Sequence, residues 1–238
     1  MRKLGIIGGL TWASTALYYE AINKFVAARL GGLHSALLAI ESLDMAPIAR
    51  MQQAEEWLTV GHMAGDAARR LAASGAEGLI MTSNTMHRVH DDVASAAGLP
   101  VIHIGDAVAE RVAADGVKRV ALLGTRFTMT QPFVRERLES RGLELAAIDG
   151  PWMTEVDRII YEELAAGRVV RDSQRKLKTL LTELSKKKVQ AVVLGCTELV
   201  LAVETRANVL PVYDSTAIHA RAAAEWMLAE GQEARAAA

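Results

Sequence analysis

The sequence predicts an α/β protein made of two pseudo-symmetric lobes, each a short parallel sheet flanked by helices. Three observations carry that prediction. Short aliphatic runs alternate with Ala-rich amphipathic segments, the pattern of repeated βαβ units. Several runs are apolar at nearly every position, as in strands covered by helices on both faces. The chain also repeats itself, in order and at similar spacing. Leu4-Gly5-Ile6-Ile7-Gly8-Gly9 resembles Val120-Ala121-Leu122-Leu123-Gly124-Thr125, and Gly78–Asn84 resembles Ala191–Thr197. Leu99-Pro100-Val101-Ile102-His103 resembles Leu210-Pro211-Val212-Tyr213-Asp214. The period is too long for a solenoid, so it marks two similar halves. Position 83 in one corresponds to position 196 in the other.

Strands are expected at Leu4–Ile7, Leu37–Ser42, Gly78–Met81, Val101–Ile104, Arg119–Leu123, Leu143–Ile148, Ala191–Leu194 and Val209–Val212. Helices are expected at Thr15–Arg29, Gln52–Ser74, Ile104–Ala114, Thr130–Ser140, Glu155–Ala166, Asp172–Lys187 and Ser215–Leu228. The small residues of the tail Glu230–Ala238 bury too little to offset ordering entropy, so fraying is expected there. With the repeat, residues 1–98 and 208–238 read as the first lobe and 99–207 as the second.

Composition excludes several functions. The 27 Lys and Arg balance 28 Asp and Glu, so the basic excess of a nucleic-acid binder is missing. The single cysteine rules out a disulfide framework and any Cys-rich metal site. No run approaches the ~18 apolar residues of a membrane span. Glycines at the start arrive too early for a signal peptide, which predicts a cytoplasmic protein. Gly5-Ile6-Ile7-Gly8-Gly9 is not a dinucleotide fingerprint, and no phosphate-binding loop occurs.

Ligands of parallel sheets sit outside the carboxyl ends of the strands. The repeated elements end there on Gly8-Gly9, Ser83-Asn84-Thr85, Gly124-Thr125 and Cys196-Thr197-Glu198. Such residues let backbone amides approach an anionic ligand. Singly, Ser83 and Thr197 read equally well as helix caps. The same polar turn twice favours a site. A free cysteine is commonly a small buried hydrophobe. The place of Cys196, after Gly195 and at an expected helix start, predicts a lowered pKa and a reactive thiolate. His87 lies one turn after Ser83 and could touch its hydroxyl, but reads more simply as a solvated or capping side chain. His87 and His90 can share a face without a third ligand nearby, and His219 reads as a plain helix residue. Trp12 is either a lid over the strand ends or packing on the first helix.

The motifs Gly8–Thr15, Gly31–Ser35, Thr82–His87, Leu123–Thr125 and Gly195–Glu198, taken together, resemble the aspartate/glutamate racemase family, nearest its aspartate and broad-specificity amino-acid racemase branch. Glutamate racemases proper differ: they carry Asp-Ser near the first strand and His after the second Cys-Thr, where this chain has Gly8-Gly9 and Glu198. The resemblance implies two-base racemisation of a dicarboxylic amino acid in the cleft between the lobes, with no cofactor and no metal, by a homodimer. It places the two catalytic groups at Ser83 and Cys196, and substrate binding at Leu10, Gln52, Asn84, Thr85, Thr125, Thr197 and Glu198. Arg50 and Arg168 lie near positions that some relatives fill with basic residues. The family has cysteine where this chain has Ser83. A serine hydroxyl is far less acidic than a thiol and needs an adjacent base. Cys196, which in relatives serves the L-substrate, is then the competent base. Ser83 is either a poor base, a water relay or a near-isosteric replacement of cysteine. A neutral Gln52 predicts loose selection between aspartate and glutamate. The alternatives are a single-thiol decarboxylase resembling arylmalonate decarboxylase and a weakened amino-acid-binding relative. A cysteine hydrolase lacks a histidine placed to pair with Cys196.

Overall fold

The computed structural model describes residues 1–204 and 208–236, with side chains through residue 229. The chain divides into two compact units, Met1–His103 with His219–Ala238, and Ile104–Ile218.

Unit 1 runs β1 (Leu4–Gly8), α1 (Trp12–Leu30), β2 (Leu38–Ser42), α2 (Met45–Gln53), α3 (Trp57–Ala73), β3 (Gly78–Met81), a 3₁₀ turn (Thr85–Val89) and α4 (His90–Ala97). Its sheet has the order β2-β1-β3, wholly parallel, with Gly8 opposite Ser42 and Leu4 opposite Gly78. Every residue of β1 and β3 is buried, as their unbroken apolar runs require.

Unit 2 runs α5 (Ile104–Ala114), β4 (Arg119–Gly124), α6 (Arg126–Thr130), α7 (Pro132–Ser140), β5 (Glu144–Leu145) and α8 (Gly150–Arg158). A π-helical segment (Ile159–Glu163), a 3₁₀ turn (Leu164–Ala166), α9 (Arg171–Lys186), β6 (Ala191–Gly195), a second 3₁₀ turn (Thr197–Leu201) and β7 (Val212–Asp214) follow, then α10 (Ser215–Ala236). The sheet order is β5-β4-β6-β7, again parallel.

Helices seal each sheet. In unit 1, Leu4, Ile6 and Ile80 pack with Tyr18, Ile22 and Val26 of α1 and with Ala220, Ala223 and Met227 of α10. In unit 2, one face of the sheet packs on α5 and α7, while α8, α9 and the second 3₁₀ turn cover a cluster that contains Cys196.

The internal repeat is visible as topology. β1 pairs with β3 as β4 pairs with β6. The two Leu-Pro elements make the same bond: Leu79 N–H donates to Pro100 O at 2.9 Å, and Val192 N–H to Pro211 O at 2.9 Å.

The elements depart from expectation where backbone chemistry overrides the apolar pattern. Val101–Ile104 makes only an isolated bridge, Val101 to Leu79, before the chain enters α5 at Ile104. The expected strand 209–212 begins only at Val212, because Pro211 has no N–H for the ladder. At the sheet edge, 143–148 shrinks to Glu144–Leu145. The expected helix 52–74 is two helices, broken beside Glu55 at φ +59, and α2 starts early because Asp44 caps it by accepting from Ala46 N–H at 3.1 Å. Pro132 at a helix start, after an extended Gln131, splits off α6. The expected helix 155–166 begins at Gly150 and loosens into the π segment. The two compact units divide at 103/104 and 218/219. The Val101 bridge ties that stretch to β3, and β7 is laddered onto β6. The helix α10 is described to Ala236, and the expectation for the end of the tail lies outside the described residues. Among the described residues no helix is long and apolar enough to cross a membrane, and no group of three or more His, Cys, Asp or Glu side chains can hold a metal ion.

Candidate active site

Ser83, Asn84, Thr85, Gln52 and Leu10 belong to unit 1; Thr125, Cys196, Thr197 and Glu198 belong to unit 2.

In unit 1 the site residues follow adjacent parallel strands. Gly9 has φ +79, and a Cβ there would overlap the Leu43 carbonyl, so only glycine lets the chain pass from β1 into Leu10. The turn is stapled to its neighbour by hydroxyls. Thr15 Oγ1 accepts from Gly9 N–H at 2.8 Å and lies 3.1 Å from Thr82 Oγ1, while Ser14 Oγ donates to Thr82 O at 2.8 Å. Ser83 follows Thr82 and is partly exposed. Its hydroxyl has no hydrogen-bond partner among the described residues of the unit, and it is not a cap: the 3₁₀ turn starts after Asn84, without a side-chain cap. His87 contacts the Ser83 carbonyl, not its hydroxyl, through Nδ1 at 2.9 Å. Far from being solvated, His87 is buried.

Asn84 and Thr85 are buried at the start of the turn, and Leu10 is buried beside Gly9. Gln52, only 1 % exposed, points its Nε2 at Met86 Sδ, 3.3 Å away, and leaves its Oε1 without a partner. A buried amide oxygen without a partner is costly and unusual. Trp12 is 78 % exposed at the start of α1, so it does not pack down on that helix.

In unit 2 the same strand ends carry different chemistry. Thr125 caps α6 by accepting from Thr128 N–H at 3.3 Å. Cys196 is extended backbone just after β6, 7 % exposed, and its thiol donates to Glu198 Oε2 at 3.0 Å. Thr197 Oγ1 donates to the same oxygen at 2.7 Å. Thr197 and Glu198, expected to bind substrate, are thus tied to each other and to the thiol, and neither caps the turn with its side chain.

The expectation of a lowered thiol pKa is overturned. Burial pushes the Cys196 thiol up, and the Glu198 carboxylate adds to it by charge and by accepting the S–H bond. The Glu198 and Leu199 N–H groups of the five-residue 3₁₀ turn that follows oppose the rise without cancelling it. In this protein Cys196 is a protonated thiol beside an acceptor, a nucleophile–base pair in geometry.

Tyr161 was not legible as a site residue. It sits in the π segment, partly buried, and its phenol is raised first by burial, then by Asp157 and Cys196, with a smaller part from Glu198. Single-turn π segments recur at functional sites, but nothing in the periodicity of 155–166 announces this one.

The family model described as Asp/Glu/Hydantoin racemase matches residues 7–223. A solved structure from Yersinia pestis assigned as an Asp/Glu racemase is 43 % identical, with TM-score 0.89, over 96 % of this chain and 100 % of that one. An aspartate racemase homologue from Pyrococcus horikoshii OT3 is 35 % identical, with TM-score 0.81, over 95 % of this chain and 99 % of that one. The broad specificity amino-acid racemase RacX of Bacillus subtilis (strain 168) is 23 % identical over 164 residues, 69 % of this chain and 70 % of its own length.

Proposed function

The chain belongs to the Asp/Glu/hydantoin racemase family, and we propose that it racemises aspartate, glutamate or both, without a cofactor, with Cys196 as the competent base. The observation that carries this reading is the Cys196 thiol donating at 3.0 Å to the Glu198 carboxylate, set against a Ser83 hydroxyl without a base of its own. An α-proton is a weak acid, so the group that removes it must become basic at the moment of transfer. Glu198 accepts the S–H proton and the thiolate takes the α-proton of the L-substrate. The carbanion that results receives a proton on its other face from the Ser83 hydroxyl or from a water bound there. The reverse path starts at Ser83, whose hydroxyl has no hydrogen-bond partner among the described residues of its unit, and needs an alkoxide or an activated water. Proton removal is therefore lopsided between the two enantiomers.

Gln52, Asn84, Thr85, Thr125 and the backbone at Leu10 are assigned to the substrate. A carboxylate accepts hydrogen bonds, and rotation of the Gln52 amide would offer Nε2 where Oε1 now lacks a partner. The reading includes a homodimer in the cytoplasm, and light scattering on the eluted protein measures the oligomeric state.

Deuterium exchange at Cα in D₂O tests the mechanism. L-aspartate or L-glutamate exchanges faster than its D-enantiomer, Cys196→Ala abolishes exchange, and Ser83→Cys raises D-exchange sharply. Equal exchange of both enantiomers by the unaltered protein would refute the asymmetry. Release of CO₂ from an aryl malonate, without any exchange, would replace the racemase with a single-thiol decarboxylase.

A further inference from the structure

Four imidazoles gather behind the Ser83 turn, and the racemase reading uses none of them. His87 and His103 have ring centroids 4.6 Å apart, His90 and His103 4.9 Å, and His87 and His219 5.6 Å. Hydrogen-bond partners fix the tautomers of two. A backbone carbonyl only accepts, so His219 donates from Nε2 to Ile102 O at 2.9 Å, and Nδ1 accepts from Tyr18 OH at 2.8 Å. By the same rule His87 donates from Nδ1 to Ser83 O at 2.9 Å. Burial, followed by the charges of His103 and His219, keeps the His87 ring neutral. Two neighbouring neutral rings therefore carry their protons on opposite nitrogens.

The reason for the His87 bond lies in the turn. In an α-helix the N–H of residue 87 would bond to the carbonyl of residue 83. Here His87 N–H bonds instead to Asn84 O at 3.0 Å, as a 3₁₀ turn requires, and the Ser83 carbonyl loses its helical partner. The imidazole of the same residue supplies it.

We propose that His87 is a positioning residue: its ring replaces the missing helical bond to Ser83 and so fixes the peptide plane leading from Ser83 into Asn84. The ring packs edge-on against His103 and His219, and the Tyr18–His219–Ile102 chain holds His219 in place. Without the ring bond the unpaired carbonyl is costly. The turn would relax toward α-helical bonding and swing Ser83 and Asn84 together. The consequence for catalysis rests on the racemase reading; the local geometry does not.

Two measurements on the full chain separate them. Two-bond ¹H–¹⁵N correlation spectra of the histidine rings at neutral pH should show the His87 proton on Nδ1 and the His219 proton on Nε2. A His87 proton on Nε2, or on both nitrogens, overturns the proposal. The amide of Asn is placed like Nδ1, and that of Gln like Nε2. His87→Asn should therefore keep the Asn84 and Thr85 amide shifts and hold the ratio of D- to L-substrate Cα-exchange within about threefold, whereas His87→Gln moves those shifts and lowers the ratio about tenfold, the worth of one hydrogen bond. Uniform loss for both enantiomers, or equal behaviour of the two variants, would mean that His87 only supports the fold. If the unaltered protein exchanges neither enantiomer, the racemase reading fails, while ring tautomers and amide shifts still decide the role of His87.

Discussion

Replacing Glu198 by glutamine removes a negative charge while leaving an acceptor of similar shape beside the Cys196 thiol. In the native pair the sulfur and Oε2 are 3.0 Å apart. A thiolate and a carboxylate whose charge centres lie ~4 Å apart repel by ~4 kcal/mol at an effective dielectric constant of ~20. Burial is the larger cause of the raised thiol and persists in the variant. Glu198→Gln is therefore expected to lower the Cys196 pKa without bringing it to that of a free thiol. Cys196 is the only cysteine in the chain. Thiolate absorbance in the ultraviolet, followed against pH with Cys196→Ala as the blank, reports this group alone. The same variant should exchange the L-substrate α-proton ~10²–10⁴-fold more slowly, the usual worth of a positioned proton acceptor. A more acidic thiol with less activity is the signature of Glu198 acting as acceptor. An unchanged thiol pKa, or undiminished exchange, would refute the pairing.

The buried histidines make stability depend on pH. Burial pushes His219 down to about 4, and His87 is lowered as well. The unfolded chain binds protons below the ordinary value near 6.5 and the folded one resists until lower pH. Stability is thus full above ~6.5 and falls as pH drops toward ~4, by about 3 kcal/mol from His219 alone. Urea midpoints at pH 7 and pH 5 measure the fall, which should shrink in His219→Gln. Gln52→Ala should raise KM for aspartate and glutamate unequally, by ~10–100-fold for the substrate whose side-chain carboxylate it meets; steady-state kinetics showing no change for either would remove Gln52 from the site. Gly9→Ala places a Cβ against the Leu43 carbonyl at φ +79 and should cost ~2–4 kcal/mol in chemical denaturation. A variant as stable as the parent would contradict the steric reading of that turn.

Much of the fold was legible because it is written in local patterns. Unbroken aliphatic runs became β1, β3, β4 and β6, since strands buried on both faces tolerate nothing else. The repeat matched the segments that became β1 and β3 to those that became β4 and β6, and the structure pairs β1 with β3 as it pairs β4 with β6. Less legible were the places where one backbone group decides: Pro211 delaying β7, Glu55 breaking a helix, and the π segment that carries Tyr161.

The sequence by itself determined which residues stand at the ends of the strands. Position along an element follows from spacing, and Ser83 and Cys196 are equivalent by the repeat. What those residues can do was decided only by the tertiary structure. Near a helix start a cysteine reads as an easy thiolate. Burial and the folding back of Glu198 made it a protonated thiol with an acceptor. His87 read as a solvated neighbour of a hydroxyl, and became a buried ring tied to the Ser83 carbonyl, beside His103 and His219. Proton affinity depends on dielectric surroundings and on charges brought near from distant parts of the chain, and neither is a property of a residue's place in the sequence.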